Sequence, residues 1–280
     1  MPLCDAAKRP RNDQVDWSKF DSEQYHETNY RSLRADDTAL IAITREFFAT
    51  ARKGLPPGPG IDVGSGANLY PAFGMLPFCN SLELWEHSSA NVEWLTRQVK
   101  DFGPDWDQFW EQYRKNDAYN LSAVEAREAL HKRAQVEHRS IFDLPAAGVQ
   151  LEPWDMGTMF FVACSITADI EEFRRALRQF LGALRPGAPF VAAFMRDSRG
   201  YQVGDRWFPA VPVGPAQVAQ CVADLVEPMS LMIYEVRASE PLREDVVMMI
   251  ATGHVRRADR RYRKSGNAAV VCQPDEGMGP

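Results

Sequence analysis

The feature that most narrows what this chain can fold into lies between residues 61 and 91. A short apolar run, Ile61-Asp62-Val63, enters Gly64-Ser65-Gly66, and a second run ends on Glu86 about 20 residues past the turn. A strand, a turn of small residues and a second strand at this spacing describe the opening of a parallel α/β sheet. The small residues let the backbone approach a ligand, and the following helix offers it free N–H groups. An acid closing the second strand is placed to accept hydrogen bonds from ribose hydroxyls. Gly64 and Gly66 alone would fit an ordinary tight turn equally well. With Glu86 in register they point to an adenosine-containing ligand.

Which ligand follows from what is missing. A dinucleotide fingerprint needs a third glycine for close helix packing, and Leu69 stands there. No Gly-Lys-Ser or Gly-Lys-Thr is present to cradle a triphosphate. A cofactor with ribose and no phosphate remains, and S-adenosylmethionine is such a molecule.

The surrounding residues resemble a known family. Phe20-Asp-Ser-Glu-Gln-Tyr25-His-Glu-Thr-Asn-Tyr30 precedes the first long helix, and Tyr70 follows the glycine turn. Ser88 and Asn91 follow Glu86, and Phe142-Asp143 follows the third strand. Arg175-Ala-Leu-Arg178, Leu184-Arg-Pro-Gly187 and Val211-Pro-Val-Gly214 come in order behind them. Over roughly residues 20 to 252, with one poorly matched insert, the chain resembles the nicotinamide, phenylethanolamine and thioether methyltransferases. The resemblance implies a Rossmann-like class I methyltransferase with bound S-adenosylmethionine, leaving as S-adenosylhomocysteine. It implies that Tyr25 and Tyr30 close over the cofactor, that Gly64, Ser65 and Gly66 approach it, and that Tyr70 lies beside its methionine end. Glu86 would take the ribose with Asn91 in support, Asp143 the adenine amino group, and Phe142 the adenine face.

Substrate residues depart from the family's pattern. Where the amine and pyridine methyltransferases carry acids after the fourth and fifth strands, this chain aligns Cys164 and Phe194, with Asp169 and Asp197 close by. Asn29 stands where a substrate-side tyrosine is expected, and Pro209 and Ala210 replace two serines. A neutral, flat substrate suits walls built from Phe160, Phe161, Phe194, Tyr201, Trp207 and Phe208. Methyl transfer needs placement above all, so a base is optional; His26, Asp169 and Asp197 are the candidates. At a finer level the chain looks like bacterial natural-product enzymes that methylate indole C3 in tryptophan-containing diketopiperazines, with cyclisation to a pyrroloindoline. An amine or heteroaromatic N-methyltransferase using Asp169 or Asp197, and a non-catalytic cofactor-binding protein, are the alternatives.

The rest of the chain sets boundaries. Alternating strand and helix signals predict a seven-stranded, mostly parallel sheet: strands near 61–64, 82–86, 136–141, 157–164 and 189–195, then an antiparallel edge hairpin from 230–237 and 245–252. Residues 1–18 read as disordered, 19–56 as a helical cap or lid ending in Gly54-Leu-Pro-Pro-Gly-Pro-Gly60, 57–255 as the methyltransferase domain and 256–280 as a basic, solvated tail. The aromatics Trp106, Phe109, Trp110, Tyr113 and Tyr119 mark 101–135 as an inserted helical segment. A net charge of −6 argues against nucleic acid. Five scattered cysteines without a Cys-x-x-Cys pair suggest neither a disulfide framework nor a metal site. With no apolar leader and no membrane-length apolar run, the expectation is a soluble, cytoplasmic protein whose partner is a small aromatic molecule.

Overall fold

The computed structural model describes residues 10–145, 153–237 and 247–257. Seven strands form one sheet: β1 (Gly58–Val63), β2 (Cys79–Glu86), β3 (Ala134–His138), β4 (Met156–Phe160), β5 (Pro189–Arg196), β8 (Met232–Val236) and β9 (Val247–His254), in the order β3-β2-β1-β4-β5-β9-β8. The first five are parallel, and β9 lies antiparallel to both β5 and β8. The expected sheet and its antiparallel edge are therefore present. Apart from Asp62, β1 is apolar or small; it is buried almost throughout, and β5 is buried at seven successive positions, as strands covered on both faces must be. Strand order reverses between β1 and β4, so their C-terminal ends splay apart and leave a crevice.

Helices fill the connections: α1 (Ser22–Asn29), α2 (Ala35–Ala51), α3 (Tyr70–Met75), α4 (Ser89–Lys100), α5 (Asp107–Tyr113), α6 (Ala123–Arg133), α7 (Ile170–Ala183) and α8 (Pro215–Val222). β4 stops at Phe160, short of the expected residue 164, because Phe161 turns to φ 60°. α7 is strongly amphipathic, and its buried face of Phe173, Ala176, Leu177, Phe180 and Leu181 follows the helical repeat.

The segment expected as an insert belongs to the core. Trp106, Phe109, Trp110, Tyr113 and Tyr119 are fully buried. Three of their polar ends are satisfied on the backbone: Tyr113 Oη donates to Tyr70 O at 2.9 Å, Tyr119 Oη to Gly74 O at 2.8 Å and Trp110 Nε1 to Leu121 O at 3.0 Å, while Trp106 Nε1 has no partner among the described residues. α5 is thereby fastened to α3.

Two further departures surround the crevice. Disorder was expected through residue 18, yet from Pro10 onward the chain is fixed in place. Asn12 N donates to Glu172 Oε2 at 2.7 Å, Ala168 N to Pro10 O at 2.8 Å and Ser88 Oγ to Trp17 O at 2.8 Å. Residues 200–209 form a hairpin, β6 (Gly200–Val203) with β7 (Arg206–Pro209), turning on Gly204 at φ 61°. Trp17 stacks on Phe208 with ring centroids 5.3 Å apart, and Phe208 stacks on Tyr201 at 5.5 Å, so this hairpin and the N-terminal segment form one small apolar cluster. Of the basic run expected as a tail, Arg256 and Arg257 follow β9, and the remainder lies outside the described residues.

Candidate functional site

At the crevice, the chain leaves β1 through Gly64 and Gly66, both at positive φ (69° and 56°). Gly64 is required twice over: a Cβ there would stand 2.4 Å from Val162 Cγ2. Gly66 meets nothing closer than 3.7 Å, and its neighbours include Asn91 Nδ2 and Glu86 Oε2. Glu86 is 7% exposed. Its Oε2 accepts from Gly66 N at 2.8 Å, its Oε1 from Ser88 N at 2.7 Å, and Asn91 also bonds it. Burial raises its pKa, and these donors oppose that shift by favouring the carboxylate. Asn91 is held in turn by Ser22 Oγ, which donates to its Oδ1 at 2.7 Å. Asp62, buried beneath the loop, accepts from Thr158 Oγ1 at 2.7 Å; burial pushes its pKa to about 6.

These groups border a cavity of about 760 Å³ that also meets Asn12, Trp17, Phe20, Tyr25, Tyr30, Asn68, Trp85, Phe160, Phe161, Val162 and Tyr201. Beyond β3 its wall is Arg139, Ser140 and Ile141. Asn68 is 5% exposed and lies beside the Tyr30 hydroxyl, to which its Nδ2 makes no well-aligned hydrogen bond.

A second cavity, of about 530 Å³, shares five side chains with the first: Tyr25, Tyr30, Phe161, Ser165 and Tyr201. Its other walls are Asn29, Arg34, Asp37, Met195, Ser198 and Met248. Phe161, held at φ 60° at the end of β4, faces both spaces. A bulky residue in that region stores strain, which clusters at ligand sites. Asp37, in the first turn of α2, is 1% exposed. Burial, and then the neighbouring Asp36 carboxylate, push its pKa up to about 7. The Tyr70 hydroxyl lies beside it and moderates that shift, yet Asp37 Oδ2 forms no well-aligned hydrogen bond. Arg34 is paired with Asp36 at 3.2 Å.

Of the residues expected to bind the cofactor, Tyr25, Tyr30, Gly64, Ser65, Gly66, Glu86 and Asn91 converge on the first cavity. Three others do not. Tyr70 is buried beneath it, stacked on Phe109 at 5.7 Å, because its hydroxyl turns toward Asp37. Asp143 is exposed, and its Oδ2 accepts from Ser140 N at 2.9 Å, closing a capping box. Phe142 lies under the Arg175 guanidinium at 4.6 Å.

The three candidate bases lie away from both cavities. His26 packs between Trp94 and Trp106, and burial lowers its pKa. Asp169 caps α7 by accepting from Glu171 N at 2.9 Å. Asp197 is exposed and paired with Arg196.

Among the expected substrate residues, Asn29 and Tyr201 border the second cavity and Phe160 the first. Cys164 is buried, its Sγ accepting from Met195 N at 3.4 Å. Phe194 packs on Phe173 in the core. Trp207 is 66% exposed, lying over Gly200 on the outer face of the hairpin.

Asn12, Trp17, Asp37, Ser198 and Met248 escaped the sequence reading. A tryptophan in a polar leader was the one signal for Trp17, and Asp36-Asp37 had the ordinary look of an acidic helix start.

Comparison with known proteins agrees with this geometry. A model of the NNMT/PNMT/TEMT family matches residues 11–253. The chain is 25% identical over 192 residues to the indolethylamine N-methyltransferase of Oryctolagus cuniculus, covering 63% of this chain and 72% of that protein. It is 24% identical over 170 residues to the nicotinamide N-methyltransferase of Homo sapiens, covering 59% and 64% respectively. Among solved structures, the 1,6-didemethyltoxoflavin-N1-methyltransferase of Burkholderia thailandensis, with 1,6-didemethyltoxoflavin and S-adenosylhomocysteine bound, has the same fold. Its TM-score is 0.53 at 14% identity, over 90% of this chain and 93% of that one. The chain belongs to the NNMT/PNMT/TEMT family and is an S-adenosylmethionine-dependent methyltransferase.

Proposed function

We propose that this member of the family methylates a neutral, flat aromatic small molecule, an indole-bearing one, held in the second cavity while S-adenosylmethionine fills the first. The observation that carries this reading is the pair of adjoining cavities with a shared aromatic wall of Tyr25, Tyr30, Phe161 and Tyr201. The first fits a nucleoside: Gly66 leaves its floor open and the Glu86 carboxylate suits ribose hydroxyls. In this reading Trp17, Phe20 and Tyr25 close over the cofactor, and Ser140 and Ile141 take the edge of the base that Asp143 and Phe142 were expected to meet.

Bound there, S-adenosylmethionine supplies an electrophilic methyl on sulfur. The protein's task is to hold a nucleophile in line with it about 3 Å away, which by effective molarity supplies on the order of 7–11 kcal/mol. The second cavity suits an uncharged ring. Its lining is aromatic and thioether-rich, and its one cation, Arg34, is balanced by Asp36 and faces the same space as Asp37.

For an indole, attack through C3 forms the carbon–methyl bond as the sulfur–methyl bond breaks, and the positive charge passes to the indole as an iminium. In a tryptophan-containing diketopiperazine an amide nitrogen then closes on C2 and gives up its proton, leaving a neutral pyrroloindoline. Incubating the protein with S-adenosylmethionine and either such a diketopiperazine, nicotinamide or tryptamine tests this. The expected result is fastest methylation of the diketopiperazine, with a quaternary C3 by NMR. Fastest turnover of tryptamine would replace this reading with N-methylation.

A further inference from the structure

Proton removal, or the anchoring of an N–H, requires an acceptor in the substrate space, and none of His26, Asp169 or Asp197 borders it. We propose that Asp37 is the acceptor: its carboxylate takes the hydrogen bond, and then the proton, from the substrate N–H that becomes acidic once the methyl group has been transferred. The inference rests on the second cavity being the substrate site.

Three observations converge on it. Asp37 lines that cavity and is all but fully buried. With the Tyr70 hydroxyl beside it, its Oδ2 still forms no well-aligned hydrogen bond among the described residues, so a buried carboxylate oxygen is left that a donor on a ligand would complete. Its position is rigid: it sits in the first turn of the 17-residue α2, and its N–H donates to Asp36 Oδ1 at 3.0 Å. The charged groups facing it are few. Asp36 lies beside it and is paired with Arg34, and the Tyr30 and Tyr70 hydroxyls are nearby. Asp36 and burial disfavour its anion, whereas Arg34 and Tyr70 favour it. A carboxyl poised near neutrality can accept a proton at working pH and return it to water.

The proton balance closes. Before reaction Asp37 is a carboxylate. Methyl transfer places one positive charge on the substrate, loss of the N–H proton neutralises it, and Asp37 leaves the step as a neutral carboxylic acid beside a neutral product. An amine substrate would lose its proton to the same oxygen, whereas a pyridine nitrogen carries no proton and leaves Asp37 nothing to remove.

The test compares wild type with Asp37→Asn, which keeps the shape and removes the base. Both are assayed from pH 5.5 to 9 on whichever of the diketopiperazine and tryptamine the wild type turns over faster; faster turnover of nicotinamide than of either, a reaction with no N–H to deprotonate, would overturn the proposal. Expected are a kcat/KM lower by on the order of 10²-fold, loss of the wild type's rising limb near pH 7, and unchanged affinity for S-adenosylhomocysteine. Asp37→Glu should restore part of the rate and the limb. An Asp37→Asn enzyme with wild-type kcat/KM and the same limb would overturn the proposal. So would a loss of rate without any change in the limb, which marks a packing role. Fastest turnover of tryptamine would overturn the indole reading alone, since Asp37 is then judged on the amine.

Discussion

Gly66 N donates to Glu86 Oε2 at 2.8 Å, so the residue that closes β2 fixes the backbone of the loop that follows β1. The two halves of the glycine-and-acid signature are thus one hydrogen-bonded unit. Glu86→Ala removes both the acceptor proposed for ribose and the tether of Gly66 and Ser88. Weakening of S-adenosylhomocysteine by about 1.5–3 kcal/mol is expected in calorimetry. An intact fold by circular dichroism with unchanged affinity would remove Glu86 from the site.

The two glycines should respond differently to the same methyl group. Gly64→Ala collides with Val162 and strains a left-handed residue, so it should lower thermal stability by about 1–3 kcal/mol. Gly66→Ala is strained as well but meets open space, so its larger effect should be on cofactor affinity. Equal melting temperatures for the two variants would contradict the close contact at Val162.

Trp17 stacks on the hairpin and borders the first cavity, though it lies in a stretch whose polar composition points to disorder. Trp17→Ala should weaken S-adenosylhomocysteine by about 1 kcal/mol. Hydrogen exchange around Tyr25 should slow when that ligand is added. Equal exchange with and without it would argue against closure of this segment over the cofactor.

Asp37 carries a stability signature separable from its chemistry. Its pKa is about 7 in the folded protein and near 4 unfolded, so between these values the folded state holds the extra proton and stability falls as pH rises. Above pH 7 the full cost of a buried anion is felt. Asp37→Asn should therefore be more stable than wild type at pH 8 by about 2–4 kcal/mol, with the gap closing below pH 4. Denaturant melts at pH 4 and 8 measure it, and a gap independent of pH would mean Asp37 does not titrate there.

Asp169 and Asp197 provide the control. Asp169→Ala should cost about 1 kcal/mol of stability as a lost helix cap, and Asp197→Asn little, with methyl-transfer rates unchanged in both. A hundredfold loss of rate in either would return the base to its expected place.

The parallel sheet, its antiparallel edge and most of the residues that border the first cavity were legible because each carried a local signal. Glycines with an acid 20 residues on, apolar runs and a breaker cluster all act within a few turns of chain. The second cavity was not legible, because it is assembled from α1, α2, β5, β6 and β9, which no spacing relates. Phe194 and Cys164 were placed by position after their strands, but β5 points Phe194 into the core and the turn at Phe161 buries Cys164. Asp143 and Asp169 followed the opposite course. Each had an acid's chemistry in prospect, and each spends it on a nearby backbone N–H, a local competitor that is always within reach.

The five side chains common to the two cavities have a kinetic consequence. Tyr25, Tyr30, Phe161, Ser165 and Tyr201 can adopt one arrangement at a time, so whatever occupies the first space finishes the wall of the second. Loading should be sequential, cofactor before acceptor, with S-adenosylhomocysteine the last to depart. The energetic coupling is reciprocal, so a bound acceptor must tighten the grip on the cofactor by the same factor. Product inhibition by S-adenosylhomocysteine should then be competitive against S-adenosylmethionine and noncompetitive against the aromatic molecule.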